Sequence, residues 1–271
     1  MKNRRIQDIK RLLLDKKQVM NVELCEIFGV SIETIRRDLN ILENEGFIRK
    51  VYGGARLAES SADSIPIENW DDRLHTNEAF KRSIAAKAAS LIPDDCTVFL
   101  DNGTSVFEAL PYFKEKKNLT ILTNSLRVAM ELGMYDTLTV YCVGGVINPD
   151  MLVSTGFFAS ELLSYFCHID YAIISCDGFS PEGGTAECSI ELSMLKKNIL
   201  KKVSHIIAAV DHDKFGVSGS CLCCPTGDID VLVTDTYTSG EHIDALRKKG
   251  LQVYVVDTQS EPEAADAGTV S

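Results

Sequence analysis

The residues best suited to hold a small anion stand just after apolar runs. Phe99-Leu100-Asp101-Asn102-Gly103-Thr104-Ser105 leads from such a run through a glycine into a predicted helix. That order turns backbone N–H groups, hydroxyls and the positive end of a helix dipole toward one point, which suits a phosphate. Thr123, Asn124 and Ser125 repeat the pattern after the next run. Gly144 and Gly145 permit close backbone approach, and Asp177, Gly178, Asp211 and Lys214 follow two further apolar segments. Singly, each such turn is more often a simple helix cap. Together they fall where open α/β sheets collect ligands, at the carboxyl ends of strands.

A second set lies near the N-terminus. In Ser31-Ile-Glu-Thr-Ile-Arg-Arg-Asp-Leu-Asn-Ile-Leu-Glu-Asn-Glu-Gly46, Ser31 caps a predicted helix and Gly46 ends it. Ile32, Ile35, Leu39 and Leu42 form a core stripe, leaving Glu33, Arg36, Arg37 and Asn40 on the opposite face. Arg and Asn match guanine and adenine edges in the major groove. On charge pattern alone, a solvated helix face is the plainer reading.

The elements that position these residues follow from periodicity. Apolar residues at 6, 9, 12 and 13 predict a first helix, and Val22 to Phe28, capped by Asn21 and broken at Gly29, a second. With the helix after Ser31 they make a helix-turn-helix plan. The following Phe47-Ile-Arg-Lys-Val-Tyr-Gly-Gly-Ala-Arg56 predicts a β-hairpin wing with basic residues for a DNA backbone. A polar, proline-interrupted stretch then separates residues 1–57 from the rest, with a linker at 58–72. Beyond it, strands are predicted near 97–101, 119–123, 138–143, 170–174, 205–210, 230–234 and 251–256. Helices fall between and around them at 78–91, 105–114, 125–132, 156–167, 187–203 and 240–249. This alternation predicts a mainly parallel α/β domain over 73–257. Residues 258–271 have little to bury and are expected to form a disordered acidic tail.

The net charge of −11 argues against a nucleic-acid binder only on average. Residues 1–57 carry twelve Lys or Arg against eight Asp or Glu, a surplus of four, so the remainder carries −15. A basic head on an acidic body favours docking on phosphates at one end. No apolar run reaches the ~20 residues a membrane span needs, and Met1 to Arg11 lacks a signal-like core, so a cytoplasmic protein without a membrane partner is expected. The nine cysteines are expected to be reduced thiols, and no second Cys or His pair completes a zinc set around Cys221, Cys223 and Cys224. No metal or cofactor is expected.

The string VELCEIFGVSIETIRRDLNILENEGFIRKVYGGA closely resembles the N-terminal signature of the DeoR family of bacterial transcription regulators. One departure is Tyr52, where the family commonly has His. These strand-end segments, in the same order, resemble the family's sensor domain, so the likeness runs from about residue 3 to 257. The resemblance implies a winged helix-turn-helix over 1–57 and a sensor domain related to ribose-phosphate isomerases. It further implies Ser31, Thr34, Arg36 and Arg37 at the bases or phosphates of double-stranded operator DNA; Asn40, on the same outward helix face, is expected to join them, with Arg49 and Tyr52 in the wing. It makes Asp101 to Ser105 a phosphate cradle, Thr123 to Ser125 a second wall, and Lys196 a cation facing a phosphorylated sugar effector. Asn102 and Ser105 replace a family Ser and Thr and keep polar side chains. The implied protein is a repressor of a carbohydrate operon, a homodimer or higher oligomer because one small head makes few contacts. Two rivals stand beside it. One is a sugar-phosphate isomerase with a DNA-binding head, using Asp101, Asp177 or Asp211 as proton carrier and Lys196 as electrophile. The other is a redox sensor built on Cys221, Cys223 and Cys224.

Overall fold

The computed structural model describes residues 2–16, 18–44, 47–51, 53–57, 70–149, 151–217, 219 and 221–258. The chain forms two compact units, Met1–Pro66 and Ile67–Ser271. Tyr52, Gly46, most of the expected linker and all but the first residue of the expected acidic tail lie outside the described residues.

The first unit runs α1 (Lys2–Lys16), β1 (Gln18–Met20), α2 (Asn21–Phe28), α3 (Ile32–Asn44), β2 (Ile48–Val51) and β3 (Gly54–Leu57). Ile6, Ile9 and Leu13 of α1 meet Leu24 of α2 and Ile35, Leu39 and Leu42 of α3 in one core. Each fully buried Leu or Ile there contributes about 2 kcal/mol. Asn21, expected as the cap of α2, is its first helical residue, and Gly29 closes that helix in the left-handed region at φ 61°. Ser31 does cap α3: its Oγ accepts from the Thr34 N–H at 3.4 Å.

The core stripe of α3 differs from the expected one. Ile32 is 41% exposed, whereas Asp38 is buried and joins the stripe. At roughly 100° per residue, Asp38 and Ile32 flank the Ile35, Leu39 and Leu42 stripe on opposite sides at similar angles, so helical phase alone does not choose between them. The buried carboxylate is admitted because Arg5 Nε reaches its Oδ2 at 2.5 Å. β2 and β3 pair antiparallel as the wing, and β1, a strand absent from the sequence expectation, pairs with β3 to give the order β1-β3-β2.

The second unit opens with α4 (Trp70–His75) and α5 (Glu78–Ser90). The linker expected to reach 72 therefore gives way to a helix at Trp70, whose ring is buried. The chain continues β4 (Thr97–Leu100), α6 (Thr104–Phe107), α7 (Leu110–Phe113), β5 (Leu119–Thr123), α8 (Leu126–Leu132) and β6 (Leu138–Cys142). Next come β7 (Val146–Asn148), β8 (Val153–Thr155), α9 (Phe157–Ser164), β9 (Ile169–Ile174), β10 (Gly178–Ser180), β11 (Gly184–Glu187) and α10 (Ile190–Leu200). It ends β12 (Val203–Ala209), β13 (Cys221–Cys224), β14 (Val231–Asp235), α11 (Gly240–Lys248) and β15 (Gln252–Val256). The helix expected at 105–114 is two short ones, because Leu110-Pro111 starts a new helix with proline in its first turn.

Seven strands form one parallel sheet in the order β15-β14-β12-β9-β4-β5-β6. Alternate side chains bury on its two faces, Phe99 and Ile174 against α9 and α10, Val98 and Leu100 against α5 and α6. The chain leaves β4 outward through β5 and β6, then returns to β4's other side at β9. β4 and β9 thus flank the point where strand order reverses, the place where open α/β sheets take ligands, in a crevice beyond the carboxyl ends. Two small antiparallel groups escaped the sequence reading: β7 with β8, and the sheet β10-β11-β13. Their strands are three or four residues long and too short for a periodic signal.

Asp38→Ala strands the Arg5 guanidinium and empties a buried position. It should cost the first unit about 2 kcal/mol, read by urea unfolding as an earlier transition of that unit with the second unit's transition unmoved.

Candidate functional site

The polar residues of the second unit converge at the β4/β9 switch point. Asp101 ends β4, and its Oδ2 accepts from the Ser175 N–H beyond β9 at 3.0 Å. Gly103 is required here, since a Cβ on it would lie 1.6 Å from Ser175 Oγ. Lys196, from α10, enters between these loops. Its Nζ stands 2.6 Å from Asp101 Oδ2 and 3.0 Å from the Ser175 carbonyl, and also donates to Glu187 Oε1. Lys196, Asp101 and Glu187 are all at least 95% buried. Burial alone would lower the Lys196 ammonium, but Asp101 and Glu187 outweigh it and hold it charged, while burial pushes the Glu187 carboxyl up.

Lys196 is thus not a solvated surface lysine. Its three N–H bonds go to protein oxygens. Lys81 of α5, overlooked in the sequence, stands by the same crevice, 3% exposed, donating to the Arg73 carbonyl. Burial lowers its pKa to about 8, with Lys214 and Arg73 adding to the shift and Asp211 opposing it. A signal for Lys81 was present, because it shares an apolar helix stripe with Ile84, Ala85 and Ala88. Arg73 and Glu187 carried no such signal.

The expected cradle and second wall are both buried here: Asp101, Asn102, Thr104 and Ser105 on one side, Thr123, Asn124 and Ser125 on the other. Ser125 caps α8 by accepting from Val128 N–H at 3.4 Å, and Thr123 Oγ1 accepts from Ser125 N–H at 3.1 Å. Thr104 and Ser105 open α6, where first-turn N–H groups have no intrahelical acceptor. Asp101 Oδ1, Asn102 Oδ1, Asn124 Oδ1 and Asp211 Oδ2 are buried without a hydrogen-bond partner. Four unsatisfied acceptors at one set of strand ends are far from the usual near-complete pairing, and they suit a ligand rich in hydroxyl donors.

Other expected contributors are placed differently. Asp177 accepts from Cys188 N–H at 2.8 Å and pairs with Arg73 Nη2 at 3.3 Å. Burial works to raise its carboxyl, but Arg73 and the Cys188 N–H outweigh it and hold it below the usual range. Gly145 and Gly178 have their close approach to the protein's own backbone, at Thr155 O and Val217 O, rather than open space for a ligand. Gly144 is exposed, and Lys214 is half-buried in the turn after Asp211. Burial pushes the Cys223 and Cys224 thiols up to about 11 and about 12, the opposite of the thiolate a redox sensor requires.

In the first unit Arg36, Arg37 and Asn40 are exposed along α3. Ser31 Oγ and Thr34 Oγ1 lie 3.0 Å apart at its start. Arg49 lies in β2, its backbone opposite Arg56 of β3.

A winged helix-turn-helix and a parallel α/β unit with a built polar crevice together define a two-unit, DNA-binding type of regulator. Residues 5–61 match the DeoR-like helix-turn-helix domain, and residues 76–236 match the DeoR C terminal sensor domain. The chain belongs to the DeoR family. It is 31% identical to the HTH-type transcriptional regulator GolR of Listeria innocua, over 90% of this chain and 95% of that protein. It is 31% identical to the glycerol-3-phosphate regulon repressor of Escherichia coli, over 84% of this chain and 88% of the other. Among solved structures it is similar to ribose 5-phosphate isomerase A of Neisseria gonorrhoeae, with 16% identity, TM-score 0.39, and 54% and 56% of the two chains covered. The relatives are named as a transcriptional regulator and a repressor, and this chain is a regulator of their family. No helix among the described residues is long and apolar enough to cross a membrane.

Lys81 binds protons less readily folded than unfolded, so between pH 8 and 10.5 the unfolded state holds the extra proton and folding strengthens as pH rises. In thermal melts the wild type should therefore gain on Lys81→Met as pH goes from 7 to 10. A constant gap between the two would contradict the assignment.

Proposed function

We propose that the protein is a transcriptional repressor of a carbohydrate operon. A phosphorylated sugar or related metabolite bound at the β4/β9 crevice controls its hold on double-stranded operator DNA. The observation that carries this is the crevice itself: a loop with open N–H groups, a buried cation by its mouth at Lys81, and four buried oxygens without partners. Phosphate fits the N–H groups and cations, and sugar hydroxyls fit the oxygens. The relative named for the glycerol-3-phosphate regulon supports a phosphorylated polyol class of effector.

On the DNA side, Arg36, Arg37 and Asn40 project from α3 as the base-reading face, with Ser31 and Thr34 at the helix start. Arg49 of the wing serves the DNA backbone, and Tyr52 is assigned to the same task from the sequence. The protein acts as a homodimer or larger oligomer, since one head supplies too little specificity. The effector acts through its different affinity for the DNA-competent and DNA-incompetent states.

A thermal-shift panel of sugar phosphates and their parent sugars tests the effector reading. One phosphate ester should raise the melting temperature of the second unit while its parent sugar does not; no response across the panel would overturn it. Arg37→Ala should weaken operator binding by about 10- to 100-fold and leave the ester's affinity unchanged. Equal DNA affinity for the variant would remove α3 as the reading helix.

A further inference from the structure

The hairpin of β7 and β8 is built on the second wall of the crevice. The Leu126 N–H donates to the Leu152 carbonyl and the Ser154 N–H to the Asn124 carbonyl, both at 2.9 Å, and Ser154 Oγ donates to the Val143 carbonyl just past β6. Val153 and Ser154 of β8 are buried, so the inner strand of the hairpin is held by its own chain.

The outer strand is not. β7 pairs with β8 along one side, Val146 opposite Thr155 and Asn148 opposite Val153, and among the described residues no strand lies along its other side. Successive strand residues point to opposite faces, yet Val146 is 73% exposed, Ile147 is 54% exposed, and Asn148 is exposed as well. The strand therefore turns large apolar side chains to solvent on both faces, with an open backbone edge between them. Phe158, three residues past β8 in the first turn of α9, is also exposed. Proteins commonly blunt such an edge with charge. Here charge is withdrawn instead: residues 138–160 hold a single charged residue, Asp150, in a chain that is 25% charged. Charge depletion around exposed apolar side chains is the mark of an interface core, and a two-stranded hairpin standing alone is marginal in water.

We propose that β7 is where the second unit meets a second copy of this chain. The two β7 strands lie antiparallel about a two-fold axis, and the hairpins join into one four-stranded sheet, β8-β7-β7-β8. A strand laid antiparallel on itself meets the self-complementarity that a two-fold interface demands, whereas an unrelated partner must bring an open edge of its own. Charge favours the same occupant. Residues 58–271 carry −15, so two copies repel over most of that surface and approach with least repulsion where charge is absent. The inference rests on the reading of this protein as an oligomeric repressor and names the joint, which shares its backbone hydrogen bonds with the Asn124 and Leu126 side of the crevice.

The full-length protein is followed by analytical ultracentrifugation over a range of concentrations. The wild type should associate. Val146→Lys combined with Ile147→Lys, which sets like charges across the axis, should raise the dissociation constant by about 100-fold. Met130→Lys, which charges an equally exposed apolar residue on α8, should leave association unchanged. In the wild type, hydrogen exchange of the β7 backbone amides should slow roughly tenfold or more between dilute, dissociated protein and concentrated, associated protein, a readout that needs no variant. A wild type that stays monomeric at every concentration overturns both the joint and the oligomeric reading. Association that survives in the double variant, equal loss in Met130→Lys, or β7 amides that exchange equally fast in both states overturns the joint and leaves the oligomeric reading standing.

Discussion

The second unit is organised around one buried ammonium. Lys196 reaches from α10 to Asp101 after β4, to the Ser175 carbonyl after β9, and to Glu187 at the end of β11. Such a charge is tolerated inside a protein only when its donors are all met and opposite charge lies within contact distance, and removing one partner leaves a costly orphan. The arrangement holds two neighbouring strand ends and the β10-β11-β13 sheet in a fixed relation. The loop from Asp101 to Ser105 takes its shape from that constraint, as does the close contact of Gly103 with Ser175.

The N–H groups of Lys196 all meet protein oxygens, and the groups without partners lie elsewhere around it. The oxygens of Asp101, Asn102, Asn124 and Asp211 that face no partner, and the cations Lys81 and Lys214, surround the same crevice. A site of this kind stores unfavourable terms, unsatisfied acceptors and a desolvated lysine, that a suitable ligand relieves. This is physically different from an isomerase centre, in which a base and an electrophile must be free to act on substrate. Here the lysine that would be the electrophile is saturated, in keeping with the regulators to which the chain is similar.

The first unit shows the same economy on a smaller scale. Its core is a set of Leu and Ile residues from three helices, and the one buried charge in α3, Asp38, is matched by Arg5. That match frees the opposite face of α3, and Arg36, Arg37 and Asn40 remain exposed there.

Much of this was legible from residue order alone. The seven parallel strands and the helices between them were readable because burial on both faces of a sheet writes long apolar runs, and helix faces write a 3.6-residue period. The three-helix plan, the wing hairpin, the cap at Ser31 and the polar turns at Asp101, Thr123 and Asp211 are likewise local features, set by side chains acting on their own backbone. Tertiary structure alone decided the rest. Whether Lys196 faced solvent, ligand or Asp101 depended on loops 74 and 21 residues apart meeting at the switch point. Asp38 entered the core because Arg5, 33 residues away in sequence, meets it in space. The packing of α4 was equally hidden, since Trp70 and Arg73 meet Phe107, Arg127 and Asp177 from distant parts of the chain. Local pattern fixes where elements form; pairing between buried charges is a long-range property, and no window of sequence contains both partners.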